Sequence, residues 1–149
     1  MSQQPKIFIF APIDETGDCH RQLEAAGCGL VLGAASWHAS KFNTEGEMCE
    51  LARGAFALMG TSVRSSPITR RIMESAGPEL RIVAKFTVGV DDVDVDAATE
   101  LGVMVTHAPT ESNWGGVAEG TMAMMLALLK KLRERDEAVK AGGWRSPSL

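Results

Sequence analysis

Five short apolar runs set the strongest limit on what this chain can fold into. They are "KIFIFAP" (6–12), "GLVLGA" (29–34), "AFALMG" (55–60), "LRIVAKF" (80–86) and "GVMVTHAP" (102–109). Each is rich in β-branched, aromatic or aliphatic residues and too short for a stable helix. Their near-continuous apolar character fits strands covered on both faces. Between them lie segments with helix start and stop signals. Residues 16–26 read as a helix stopped by Gly27. Thr44 and Glu47 stand at capping-box spacing, with Gly54 as the stop. In "SSPITRRIMESAGP", Ser66 is the expected N-cap, Pro67 the first helical residue and Gly77 the terminator. Asp94 is placed to cap a helix that ends before Gly102.

Alternating strands and helices predict an α/β fold, a parallel five-stranded sheet with helices on both faces. Right-handed crossovers leave few topologies, and the flavodoxin-like strand order is the commonest. The last third departs from this rhythm. Residues 116–141, "GVAEGTMAMMLALLKKLRERDEAVKA", read as one long helix. Its first half is apolar nearly all round, through Val117, Met122, Met124, Met125, Leu126, Leu128 and Leu129. One buried face cannot account for that pattern. The helix is therefore expected to meet a second domain, another copy of the chain, or both.

Charge narrows the function classes. Residues 1–129 carry 9 basic and 16 acidic side chains, a net of −7, and residues 130–149 carry a net of +3. An acidic body lacks the clustered cations that a nucleic-acid surface needs. The basic stretch suits a helix end instead. No uninterrupted apolar run is long enough for a membrane span, and the N-terminal residues show no signal-peptide pattern. Cys19, Cys28 and Cys49 are odd in number and lack CxxC spacing, which points to free thiols and no metal site. A soluble cytoplasmic protein is the expectation.

The chemistry is expected at "KFTVGVDDVD" (85–94). Here a strand runs into a helix start, the position where open parallel sheets bind ligands. Val88, Gly89 and Val90 carry no polar side chain, so polar recognition must come from main-chain N–H groups, which favour an anion. Gly89 leaves room for close approach. Asp94 and Asp96 suit the positive first turn of the helix, and Asp91 and Asp92 are read as shaping the turn. His20 and His38 fall in surface-like contexts, and His107 is read as a hydrogen-bonding hinge residue. Trp114 is read as covering the helix start in preference to packing against a substrate. The only approach to a dinucleotide fingerprint is Gly27-x-Gly29 with Gly33 beyond it. Its spacing is wrong for GxGxxG, and it precedes a strand.

"LRIVAKFTVGVDDVDVDAATELGVMVTHAP" followed by "VAEGTMAMMLALLKKLRE" resembles the D-isomer-specific 2-hydroxyacid dehydrogenases, a family that includes phosphoglycerate dehydrogenases and glyoxylate and hydroxypyruvate reductases. "SVRSSPIT" adds a weaker match, and residues 58–145 carry the resemblance best. The resemblance implies a substrate-binding domain over 1–107, a hinge over 108–115, and over 116–149 the first helix and lead-in of a Rossmann-type NAD-binding domain. It implies that Val88, Gly89 and Val90 hold the carboxylate of a small 2-hydroxy or 2-oxo acid close to the nicotinamide. Arg64 becomes a candidate contact for an anionic substrate group, and Val88 and Val117 candidate cofactor contacts. The family's catalytic Arg, Glu and His belong to the partner domain, so no catalytic residue is assigned here.

These implications describe the N-terminal part of an NAD- or NADP-dependent oxidoreductase. The 149 residues alone are expected to lack turnover and tight cofactor binding. Homo-oligomerisation is expected, with neither nucleic-acid nor membrane partners. The alternative is a free-standing small-molecule or protein-binding module that dimerises through the helix over 116–141.

Overall fold

In β1 (Lys6–Ala11), Ile7 and Ile9 face one side of the sheet, Phe8 and Phe10 the other, and all four are buried. A strand buried on both faces belongs in the middle of a covered sheet. The computed structural model describes residues 4–34, 42–61 and 67–145 and places β1 there. β2 (Gly29–Leu32), β3 (Ala57–Gly60), β4 (Ile82–Lys85) and β5 (Met104–Thr106) complete a five-stranded sheet of order β2-β1-β3-β4-β5. Every pairing is parallel. This is the flavodoxin-like order expected from the strand–helix alternation.

Helices cover both faces unequally. Packed with Phe8, Phe10, Leu58 and Val83 are Met48 and Ala52 of α2 (Glu45–Ala52), Ile72 and Met73 of α3 (Arg70–Ala76), and Ala97 and Ala98 of α4 (Val95–Leu101). The opposite face gathers Ile7, Ile9 and Ala57 under Leu23 of α1 (Asp18–Ala25). The larger core is thus on the three-helix side, and Phe10 sits in it edge-on to Phe8 with ring centroids 6.4 Å apart.

Most of the punctuation behaves as its chemistry requires. Thr44 Oγ1 accepts the Glu47 N–H at 3.3 Å, and the Glu47 carboxylate accepts the Thr44 N–H at 2.7 Å, so the capping box closes. That N–H is the main reason the Glu47 carboxyl is held below its ordinary range. Gly27 and Gly102 take the left-handed conformation at their helix ends.

One start signal is displaced. α3 begins at Arg70 with Thr69 as its cap, and not at Pro67. Ile68 forms a parallel bridge with Val93, donating to Asp92 O at 2.7 Å and accepting from Asp94 N–H at 2.9 Å. That bridge precedes an extended Thr69, whose Oγ1 accepts the Ile72 N–H at 3.4 Å. Ser66, the expected cap, lies outside the described residues.

The chain divides into two compact units, Met1–Pro109 and Thr110–Leu149. The second unit also differs from expectation. A single helix over 116–141 is replaced by α5 (Glu111–Leu129) and α6 (Leu132–Lys140). Lys131 stands between them in the left-handed region at φ 48°. Lys130 and Lys131 donate their N–H groups to Leu126 and Leu128 and close α5 with positive charge at its negative end. α6 then stands on its own i,i+4 pairs, Arg133–Glu137 at 3.0 Å and Lys140–Asp136 at 2.6 Å. α5 starts at Glu111 after an extended Thr110, so Gly115 and Gly116 lie inside the helix. Trp114 on this helix is exposed. Among the described residues no helix is long and apolar enough to cross a membrane. The three cysteines are free thiols, and the described residues contain no cluster suited to a metal ion.

Candidate functional site

In a parallel sheet all strands point their C-terminal ends the same way, so the loops after β1, β3, β4 and β5 share one end of the first unit. The loop after β4 holds the expected site. β4 ends at Lys85, whose ammonium is buried and donates to Thr61 O at 3.0 Å and to Asp92 Oδ2 at 2.5 Å. Phe86 N–H adds a rung to Gly60 O at 2.9 Å. Beyond it the chain leaves the ladder.

From here the carbonyls of four successive residues are tied down. Thr87 O accepts Ala108 N–H at 3.0 Å. Val88 O accepts from His107 Nδ1 at 2.8 Å. Gly89 O accepts the Thr87 hydroxyl at 3.2 Å, and Val90 O accepts Val93 N–H at 2.9 Å. A trans peptide points its C=O and the following N–H to opposite sides. Fixing the carbonyls of Thr87, Val88 and Gly89 therefore turns the N–H groups of Val88, Gly89 and Val90 away from those partners. Among the described residues none of these three N–H groups meets an acceptor. Val88 and Gly89 are exposed and Val90 is half-buried. A row of free main-chain donors is an anion-binding arrangement.

His107 makes a hydrogen bond, to Val88 O. A carbonyl only accepts, so Nδ1 carries the proton in this contact. Gly89 does not occupy the left-handed region. Its lack of a side chain matters for space alone. A Cβ there would stand 3.1 Å from Asp91 Oδ2.

The four acids divide by role. Asp91 is exposed beside Gly89, and Asp92 turns inward to Lys85. Asp94 accepts Ala97 N–H at 2.9 Å and caps α4, and Asp96 sits in that helix's first turn. None forms a paired acid–base site. Arg64 and His38 lie outside the described residues. Val117 is exposed on α5 in the second unit.

A second feature at this end was not read from the sequence. Asp14, in the loop after β1, accepts N–H groups from Gly17 at 3.0 Å and His20 at 3.1 Å and the Thr16 hydroxyl at 3.1 Å. The His20 N–H is the largest reason its carboxyl is held below the ordinary 3.8. Beside it runs a trough of about 600 Å³ lined by Ile9, Ile13, Leu23, Met59 and Phe86. The available signal was Asp14 three and six residues ahead of Gly17 and His20, an Asx-type turn. Lys85 was missed as well, because a lysine ending an apolar run reads as a solvated strand end.

Residues 20–134 match the family model described as "D-isomer specific 2-hydroxyacid dehydrogenase, catalytic domain". The D-3-phosphoglycerate dehydrogenase of Mycobacterium leprae is 43% identical over 87 residues, which are 58% of this chain and 16% of that protein. The glyoxylate reductase of Thermococcus litoralis is 28% identical over 146 residues, 98% of this chain and 41% of that protein. A solved structure of D-lactate dehydrogenase from Aquifex aeolicus, complexed with NAD and lactic acid, superposes with a TM-score of 0.62 at 25% identity. The match covers 95% of this chain and 38% of that one. The chain thus spans less than half the length of each of these relatives.

Proposed function

The chain belongs to the D-isomer specific 2-hydroxyacid dehydrogenase family, and from that premise we propose that its first unit is the substrate-binding half of an NAD(P)-dependent enzyme interconverting 2-hydroxy and 2-oxo acids. The observation that carries this reading is the row of unpaired donors at Val88, Gly89 and Val90. A carboxylate is the part common to all such acids, and it takes charge-assisted bonds from main-chain N–H groups. The carbon that exchanges hydride is adjacent to that carboxylate, so fixing the carboxylate places the reacting centre just outside the turn.

The nicotinamide, when bound, supplies or accepts the hydride. Val88 offers it an exposed apolar side chain beside the donors, and Val117 is the second proposed contact. Two valines do not make a dinucleotide site, and these 149 residues carry no GxGxxG. A dinucleotide-binding domain with that fingerprint is the proposed partner. These residues alone are proposed to bind the acid, to hold no NAD or NADP tightly and to give no turnover. The free thiols fit a reducing, cytoplasmic setting.

Titration of the ¹⁵N-labelled chain with glyoxylate tests the cradle. The amide signals of Val88, Gly89 and Val90 are expected to shift together and saturate. Shifts spread evenly over the chain, or confined to the basic α6, would sink the reading. Asp91 supplies a control of known sign, because its carboxylate stands beside Gly89 and repels an incoming anion. Asp91→Asn is expected to tighten glyoxylate binding about threefold, the effect of removing one charge about 6 Å away in water. Added salt should erase that gain.

Self-association is proposed for the second unit. Met122, Met124, Met125, Leu126, Leu128 and Leu129 are all exposed on α5. Each is partly covered already and leaves unrealised about 1–2 kcal/mol of burial. Light scattering is expected to show oligomers that Leu128→Lys dissolves. A clean monomer at about millimolar concentration, far above the Kd of a stable dimer, would count against it.

A further inference from the structure

The side chain in the first unit hardest to explain by packing is Lys85. It is 3% exposed, and its ammonium is enclosed by Thr61 O, Asp92 Oδ2 and the ring of Phe10, 5.6 Å away. Such a pair contributes little to stability. Removing two charges from water offsets most of their attraction, and an apolar pair of similar size commonly serves a core as well. Its consequence must be sought in what it fixes.

It fixes both ends of the turn. Lys85 is the last residue of β4, and Asp92 follows Val90 by two. Their contact closes residues 86–91 into a loop of set span. Thr61 O ties that closure to the end of β3, and Asp92 O, accepting Ile68 N–H at 2.7 Å, ties it to the segment before α3. The carbonyl contacts of Thr87, Val88 and Gly89 set the direction of the donors inside this span, and the ion pair sets the span itself. Lys85 is too deeply buried to touch a ligand.

We propose that Lys85 and Asp92 are a positioning pair that holds the Val88–Gly89–Val90 donors at the spacing a carboxylate requires. This rests on the cradle reading given above. The test uses the 149-residue chain, glyoxylate as probe, and amide signals as readout at a temperature where every variant is fully folded. Lys85→Met alone takes the Lys85 ammonium from the partly buried Asp92 carboxylate and can unfold the chain. The double variant Lys85→Met with Asp92→Asn removes both charges and keeps the volume.

The double variant is expected to retain native dispersion and cooperative melting. Its glyoxylate affinity should fall about tenfold or more, since small misplacements of binding groups carry large penalties. Lys85→Arg, which keeps the charge within reach of Asp92, should recover most of that loss, which a merely volumetric role would not produce. Wild-type affinity in the double variant overturns the positioning role while leaving the cradle intact. Failure of the wild-type Val88, Gly89 and Val90 amides to respond to glyoxylate overturns the cradle and this role with it.

Discussion

Gly89→Ala is expected to leave the chain folded and to weaken carboxylate binding about ten- to a hundredfold. The backbone at Gly89 lies outside the left-handed region, so alanine adopts it without strain. The new methyl group meets Asp91 Oδ2 at 3.1 Å, and that exposed side chain can swing aside. Stability should therefore change by no more than about 0.5–1 kcal/mol. Binding is another matter. In the proposed cradle any added side chain at Gly89 crowds a ligand drawn close to the row of N–H donors, and one lost bond to a charged group is worth about 1.5–3 kcal/mol. Parallel thermal melts and glyoxylate titrations separate the two effects. An alanine variant with wild-type affinity would show that the ligand approaches from elsewhere.

A second glycine gives the opposite pattern. Gly60→Ala is expected to lower the thermal midpoint by about 5–15 °C, since each kcal/mol moves a domain of about this size by roughly 4–8 °C. A Cβ on Gly60 would stand 2.5 Å from Phe10 Cε2 and 2.6 Å from Cδ2. Phe10 has nowhere to retreat. It is buried, packed on Phe8, and roofed by the Lys85 ammonium. Overpacking of this kind costs about 1–3 kcal/mol. Gly46, exposed in α2 with nothing near its missing Cβ, is the control. Alanine there should be neutral or stabilising. Calorimetry of the two variants would decide it, and an unmoved midpoint for Gly60→Ala would mean that the ring has room.

The fold was legible because its signals are local. Ile7, Phe8, Ile9 and Phe10 declare a strand buried on both sides, Thr44 and Glu47 declare a helix start, and Gly102 declares a stop. Right-handed connection then orders the strands. The errors arose where distant contacts overrule local preference. Pro67 reads as a first helical residue, yet Ile68 after it is bridged to Val93, 25 positions away, and the helix starts only at Arg70. The run over 116–141 reads as one helix, yet two lysines close the apolar half before the charged half begins. The turn at Gly89 was legible as a place, because strand, glycine and acid cluster follow one another. How its donors are freed was not. That depends on His107 and Ala108, which reach back from beyond the next helix and strand, and on Lys85 and Asp92, whose pairing no spacing rule announces.

Recognition by main chain has a consequence for how such a site can change. The residues that would face the ligand, Val88 and Val90, contribute their amides whatever side chains they carry, proline excepted. Their identities can drift within the apolar character the nicotinamide contact asks of Val88, reshaping the room around the reacting carbon without loosening the proposed grip on the acid. In the proposed cradle the instruction for that grip is written elsewhere, in a threonine, a histidine and a buried ion pair that orient the backbone. One scaffold can thereby serve many acids, with its handle specified by residues outside the pocket and its selectivity by residues within it.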